Sequence, residues 1–106
     1  MNRFESELKR GKFLVGHCAK CDKITWPPND FCSFCFGELS WRQIREPGIL
    51  VEHSGKDGKQ FCIVEFEGVV KVMGTVSNAT ALRPGQKIRL LSCDFDGSPK
   101  FTFEAE

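Results

Sequence analysis

Between His17 and Gly37 the chain reads HCAKCDKITWPPNDFCSFCFG, with Cys18 and Cys21 in one C-x-x-C pair, Cys32 and Cys35 in a second, and ten residues between the pairs. Each pair closes a tight turn that aims two thiols at one spot. A loop this short has little volume in which to bury side chains, so an apolar core is a poor explanation of its order. A metal supplies what packing cannot. Zinc binds four thiolates tetrahedrally at about 2.3 Å, and in small modules its binding is worth on the order of 10 kcal/mol of folding free energy. The spacing therefore predicts a closed structural site of Cys18, Cys21, Cys32 and Cys35, with zinc favoured over iron, which also accepts four tetrahedral sulfurs.

Other uses of the cysteines fit less well. Disulfides need an oxidising compartment, and MNRFESELKRGK at the start has no apolar stretch of the secretory kind. Redox catalysis by one C-x-x-C needs a low-pKa thiol at a helix N-terminus in a βαβ pattern, which the sequence does not show. Free thiols point to the cytoplasm. His17 abuts Cys18 and reads as a surface or supporting residue. Cys62 and Cys93 fall in predicted strands and read as small buried hydrophobes.

The 106 residues carry 15 basic and 14 acidic side chains, and four thiolates with a divalent ion bring the net charge to about −1. No general pull toward nucleic acid follows from that balance. No apolar run approaches the ~20 residues that cross a bilayer, so no membrane is expected as a partner.

Along the chain, Asn2 and Glu5 stand at capping-box positions, Phe4 and Leu8 share a face, Glu5 precedes Lys9 by four residues, and Gly11 is a stop. A short helix follows, lying on its own domain or docking on a partner. Short strands flank the first knuckle around Phe13–Val15 and Ile24–Trp26, and Pro27-Pro28 ends the second of them. Residues 39–44 form another extended piece around Trp41.

After Glu46-Pro47-Gly48 the texture becomes five β segments at 48–54, 60–66, 69–76, 87–93 and 100–104. Asp57-Gly58, Glu67-Gly68, Arg83-Pro84-Gly85 and Asp96-Gly97 are the turns, and residues 78–82 are too few for a substantial helix. Gly74 marks a bend of the kind barrel corners need. The fold class expected is mainly β, with a helix over 1–12, a ribbon over 13–46 and a small five-stranded barrel over 47–106.

The helix ending in Gly-Lys-Phe, the ribbon C-A-K-C…W-P-P-N-D-F-C-S-F-C, Glu67-Gly68-Val69 and the barrel after Pro47-Gly48 together resemble a known family. It comprises small proteins with a rubredoxin-like zinc ribbon followed by an OB-fold, the acyl-CoA-associated partners of thiolase-type enzymes. The resemblance implies that Cys18, Cys21, Cys32 and Cys35 are ligands and that Pro27-Pro28 is a rigid elbow. It also implies a non-catalytic accessory subunit that binds a thiolase-like or acyl-CoA hydratase-like enzyme and helps hold an acyl-CoA. Asp22 stands where this family usually has glycine, and Ser33 where proline is common.

Three functions compete on these residues. An enzyme is disfavoured: there are two histidines, no G-x-S-x-G, no phosphate loop and no vacant metal position, so the chain is expected not to be an enzyme. A single-stranded nucleic-acid binder would use Phe61, Phe66 or Phe95 for stacking and Lys71, Arg89 and Lys100 for phosphates, and it is the alternative reading. A partner-binding scaffold uses the aromatics Trp26, Phe31, Phe34, Phe36 and Trp41, of which Phe34 and Phe36 are expected at the docking surface. For an acyl-CoA, Trp26 against adenine and Lys23 or Arg45 against phosphates are expected to meet in a groove between ribbon and barrel.

Overall fold

The computed structural model describes residues 2–77 and 81–106. Helix α1 (Arg3–Lys9) is fixed by a reciprocal cap: the Asn2 side chain accepts the Glu5 N–H at 2.8 Å and the Glu5 carboxylate accepts the Asn2 N–H at 3.2 Å. Glu5 thus turns back to the cap and does not reach forward to Lys9; the ion pair on this helix is Arg10 with Glu7 at 3.3 Å. Phe4 and Leu8 are buried in the common core, with the Phe4 ring set edge-on to Phe13 and to Trp26. The helix therefore lies on its own chain, against the ribbon and one barrel strand.

Three short antiparallel strands make the ribbon: β1 (Leu14–Cys18), β2 (Lys23–Ile24) and β3 (Ser40–Gln43), in the order β2-β1-β3. The barrel follows, with β4 (Gly48–Lys56), β5 (Lys59–Phe66), β6 (Val70–Val76), β7 (Lys87–Phe95) and β8 (Pro99–Ala105). Its order, β4-β5-β6-β8-β7, closes through the pairing of β7 with β4, and β6 meets β8 in parallel. This is the five-stranded OB-fold arrangement, and closure leaves no long free edge. Inward-facing Leu50, Val64, Phe66, Val70, Ile88 and Phe103 fill it.

Several strands run longer than the sequence suggests because the turns are tight. Asp57 and Gly58 both take left-handed φ, 53° and 78°, so the β4–β5 ladder continues to the Lys56–Lys59 pair at the turn itself. Gln86 N–H donates to the Arg83 carbonyl at 3.1 Å, closing the expected Pro84-Gly85 turn. Of the connection read over residues 78–82, residues 78–80 lie outside the described residues; Leu82 is buried in the core.

Gly74 does more than bend its strand. A Cβ there would strike the Phe101 carbonyl and come within 2.6 Å of the Phe103 ring, so the missing side chain lets β6 close on β8. Gly74→Ala is expected to cost roughly 1–3 kcal/mol through overpacking at this seam. Chemical denaturation of the variant against the parent chain measures it; equal midpoints and slopes would show that the seam has slack.

Candidate metal centre

The two knuckles are built alike. In the first, Asp22 N–H donates to the Cys18 carbonyl at 2.7 Å and Cys21 N–H to Cys18 Sγ at 3.4 Å. In the second, Phe36 N–H donates to the Cys32 carbonyl at 2.9 Å and Phe34 N–H to Cys32 Sγ at 3.4 Å. The residue after each pair, Asp22 or Phe36, is left-handed with φ of 53° or 62°. Glycine takes that conformation without cost, which is the physical reason to expect it after a knuckle. Asp22 tolerates it better than most residues and adds a 2.9 Å bond to His17 Nε2. Thr25 joins the knuckles: its hydroxyl accepts the Ser33 N–H at 3.3 Å while its own N–H reaches Gly16.

These turns bring Cys18 Sγ to 3.6 Å from Cys35 Sγ and Cys32 Sγ to 3.9 Å from Cys21 Sγ, with all four sulfurs inside 4.8 Å. A tetrahedron of sulfurs about 2.3 Å from a central ion has edges of about 3.8 Å, so the donor set fits a four-coordinate metal. Without an ion the thiols share protons unevenly. Hydrogen bonding with Cys35 leads the effects that push Cys21 up to about 12, whereas the backbone N–H groups of Cys35 and Phe34 pull Cys32 down to about 6. A metal must displace the protons that remain. His17 is not among the converging ligands. Cys62 and Cys93 are buried apart from the cluster, and burial pushes each thiol up to about 11.

The residues expected at an acyl-CoA groove are divided. Lys23 and Arg45 do line one depression of about 790 Å³ between ribbon and barrel, together with His17, Phe34, Arg42 and Glu67. Trp26 does not join them. Its indole is drawn against Phe4 of α1, ring centroids 5.5 Å apart, and it borders a separate cleft of about 430 Å³ with Pro28, Lys71 and Phe101. The aromatic ring in this depression, whose lining also includes Asp22, is Phe34 instead, with Lys23 Nζ 4.2 Å above its centroid.

Arg42 and Glu67 form an ion pair that the sequence reading, which takes Glu67 only as part of a turn, does not foresee. Arg42 grips both Glu67 carboxylate oxygens at 2.7 and 2.9 Å, and Glu67 also accepts the Arg45 N–H at 3.0 Å. The clamp ties β3 of the ribbon to the β5–β6 turn. Glu67 sits at φ 53°, a conformation that favours glycine or asparagine, and a glutamate in a tight Glu-Gly turn was the available signal.

Phe34 and Phe36, the residues expected at a docking surface, are 59% and 79% exposed, and Phe31 is exposed as well. Trp26 and Trp41 instead pack against the core. The stacking residues of the nucleic-acid reading are largely consumed: Phe66 is fully buried, Phe95 packs on the core, and Phe61 is half-buried. Of the cations expected at phosphates, Arg89 pairs with Glu104 at 3.0 Å and Lys71 faces Glu65 at 3.8 Å. Among the described residues no helix is long and apolar enough to cross a membrane.

Residues 6–41 match the family model of the ChsH2 rubredoxin-like zinc ribbon domain. The match contains all four cysteines and about a third of the 106 residues. Over the whole chain the fold is similar to that of the Ltp2-ChsH2(DUF35) aldolase, with a TM-score of 0.76 at 14% identity, covering 99% of this chain and 96% of that one. It is also similar to a protein of unknown function from the DUF35 family of Sulfolobus solfataricus, with a TM-score of 0.63 at 18% identity, covering 94% and 81%. No curated protein matches the sequence. These likenesses are of fold, and they correct one expectation. A protein described as an aldolase has this fold, so the lack of a vacant metal position or a nucleophile motif does not set such a chain apart from enzymes.

The clamp yields a pH-dependent prediction. Two hydrogen bonds from Arg42 hold the Glu67 carboxyl below its ordinary value of 4.5. A depressed carboxyl stabilises the fold fully above the unfolded value, and the contribution is lost as pH falls through the folded one. At neutral pH, Glu67→Gln is therefore expected to lower stability by about 1–3 kcal/mol, the range for hydrogen bonds to charged groups. The difference in Tm from the parent should hold down to about pH 5 and shrink below it. Acid also strips metal from both proteins, so only their difference reports on Glu67; a difference independent of pH would contradict the assignment.

Proposed function

We propose that this chain is an accessory subunit of an acyl-CoA-processing enzyme, with structural zinc on Cys18, Cys21, Cys32 and Cys35. The observation that carries the reading is the exposure of Phe34 and Phe36 on a turn that the metal would hold rigid. A bulky side chain in a left-handed conformation costs of order 1 kcal/mol and gains nothing from burial at Phe36. An exposed aromatic on a rigid turn is suited to filling a pocket on a partner. Strain and exposure at one position together favour docking over a packing role.

The partner we infer is a thiolase-like or hydratase-like enzyme, supported by the sequence resemblance. The likeness to the Ltp2-ChsH2(DUF35) aldolase supports work within a catalytic assembly. Lys23 and Arg45 are suited to the phosphates of an acyl-CoA, with the Phe34 ring supplying the aromatic face assigned above to Trp26. Thiols kept reduced for a metal at four positions, and unpaired at Cys62 and Cys93, support a reducing, cytoplasmic setting.

Affinity capture of the chain from its own cells at moderate salt, followed by identification of stoichiometric companions, tests the proposal. An acyl-CoA-processing enzyme is expected, and Phe36→Gly should weaken its retention about tenfold or more, in the range of a hot spot. The same variant should keep the metal and melt within about 1 kcal/mol of the parent, because relief of strain offsets the added freedom of the unfolded chain. Recovery of single-stranded nucleic acid in place of an enzyme would overturn the reading.

A further inference from the structure

We propose that Cys35 is an oxidation-sensitive ligand, and that peroxide converts the centre to a metal-free form bridged from Cys35 to Cys18 across the two knuckles. The inference rests on the four cysteines being metal-loaded. Three observations carry it. Cys35 alone among the four is exposed, whereas Cys18 and Cys32 are 1% exposed and Cys21 is intermediate. The buried sulfurs are also damped electronically: Cys18 Sγ accepts the Cys21 N–H, and Cys32 Sγ accepts the Phe34 N–H. Finally, Cys18 Sγ lies 3.6 Å from Cys35 Sγ, close enough for one thiolate to attack the other once oxidised.

Oxidation of cysteine follows exposure and thiolate character, and metal-bound sulfur is thiolate by definition of the site. The oxidant is hydrogen peroxide. The Cys35 sulfur takes one oxygen as the O–O bond breaks, giving a sulfenic acid and hydroxide. Cys18 then displaces hydroxide from that sulfur and forms the S–S bond. Two thiolates have lost two electrons in total, and one peroxide has gained them. Two protons are taken up by the hydroxides to give water, and Cys21 and Cys32 leave the ion as free sulfurs in proton balance with the solvent.

The location of the bridge matters. A bond within Cys18 and Cys21 would close only a turn that is already closed, whereas Cys18–Cys35 keeps the knuckles joined while releasing the ion. Reduction would then regenerate four thiols already near their metal-binding positions.

The test uses the full chain with its metal content measured first, so that absence of metal overturns both the metal reading and this one. Loaded protein receives stoichiometric hydrogen peroxide with dimedone present to trap sulfenic acid, and a chromophoric indicator follows the released ion. The result expected is labelling of Cys35 at least about tenfold ahead of the other three cysteines, in keeping with its exposure. Without dimedone, one ion should leave per peroxide, and peptide mapping under non-reducing conditions should find Cys18 joined to Cys35. First labelling at another cysteine, a bridge inside one C-x-x-C pair, or metal retained while peroxide oxidises a free-thiol peptide would each overturn this proposal and leave the metal reading standing.

Discussion

Four sulfurs held within 4.8 Å of one another are the constraint on which the ribbon depends. Crowded thiolates repel, and without an ion hydrogen bonding among the sulfurs, with Cys35 first, pushes the Cys21 thiol up to about 12. A divalent ion replaces thiol protons and turns repulsion into coordination. Little else is available to order the second knuckle. Between Phe31 and Gly37 the one fully buried side chain is Cys32, and a single bridge from Phe31 to Glu38 closes the base of the loop. Left-handed Phe36 is tolerable only if surrounding restraints over-determine its backbone, and an ion on the four sulfurs would be the strongest of these.

The ribbon is not an independent appendage. Phe4, Phe13, Phe66, Phe101 and Phe103 form a chain of ring contacts from α1, through the residue that leads into β1, to the barrel. Each aromatic pair adds about 0.5–1.5 kcal/mol beyond its buried area, and the barrel thereby shares its core with the helix and the ribbon. The Arg42–Glu67 clamp fixes the second point of attachment. Two attachments, one apolar and one charged, set the orientation in which the exposed phenylalanines are carried.

Local chemistry made much of this legible in advance. The C-x-x-C spacing specifies a metal-binding shape by itself, the Asn2/Glu5 cap fixes where the helix starts, and Asp57-Gly58 declares a hairpin. What stayed hidden depends on side chains far apart in sequence. Trp26 was expected beside Lys23 and Arg45 because it is near them in the chain or at the junction, yet Phe4, more than twenty residues earlier, decides where the indole goes. The Arg42–Glu67 pair spans 25 positions and leaves no periodic trace. Phe66 illustrates the same limit: alternation marks a strand, but only the closed barrel makes its inner face inaccessible to a base.

In the function proposed above, a knuckle ordered by metal would display its phenylalanines beside the depression that Lys23 and Arg45 line. Amide hydrogen exchange across residues 31–38, compared between zinc-loaded and chelator-treated chain, examines that dependence most directly. The account predicts protection in the loaded form and a loss of about 100-fold or more on removing the ion, as local opening becomes nearly free. Equal protection in both states would mean that the knuckle orders itself without metal and would contradict the account.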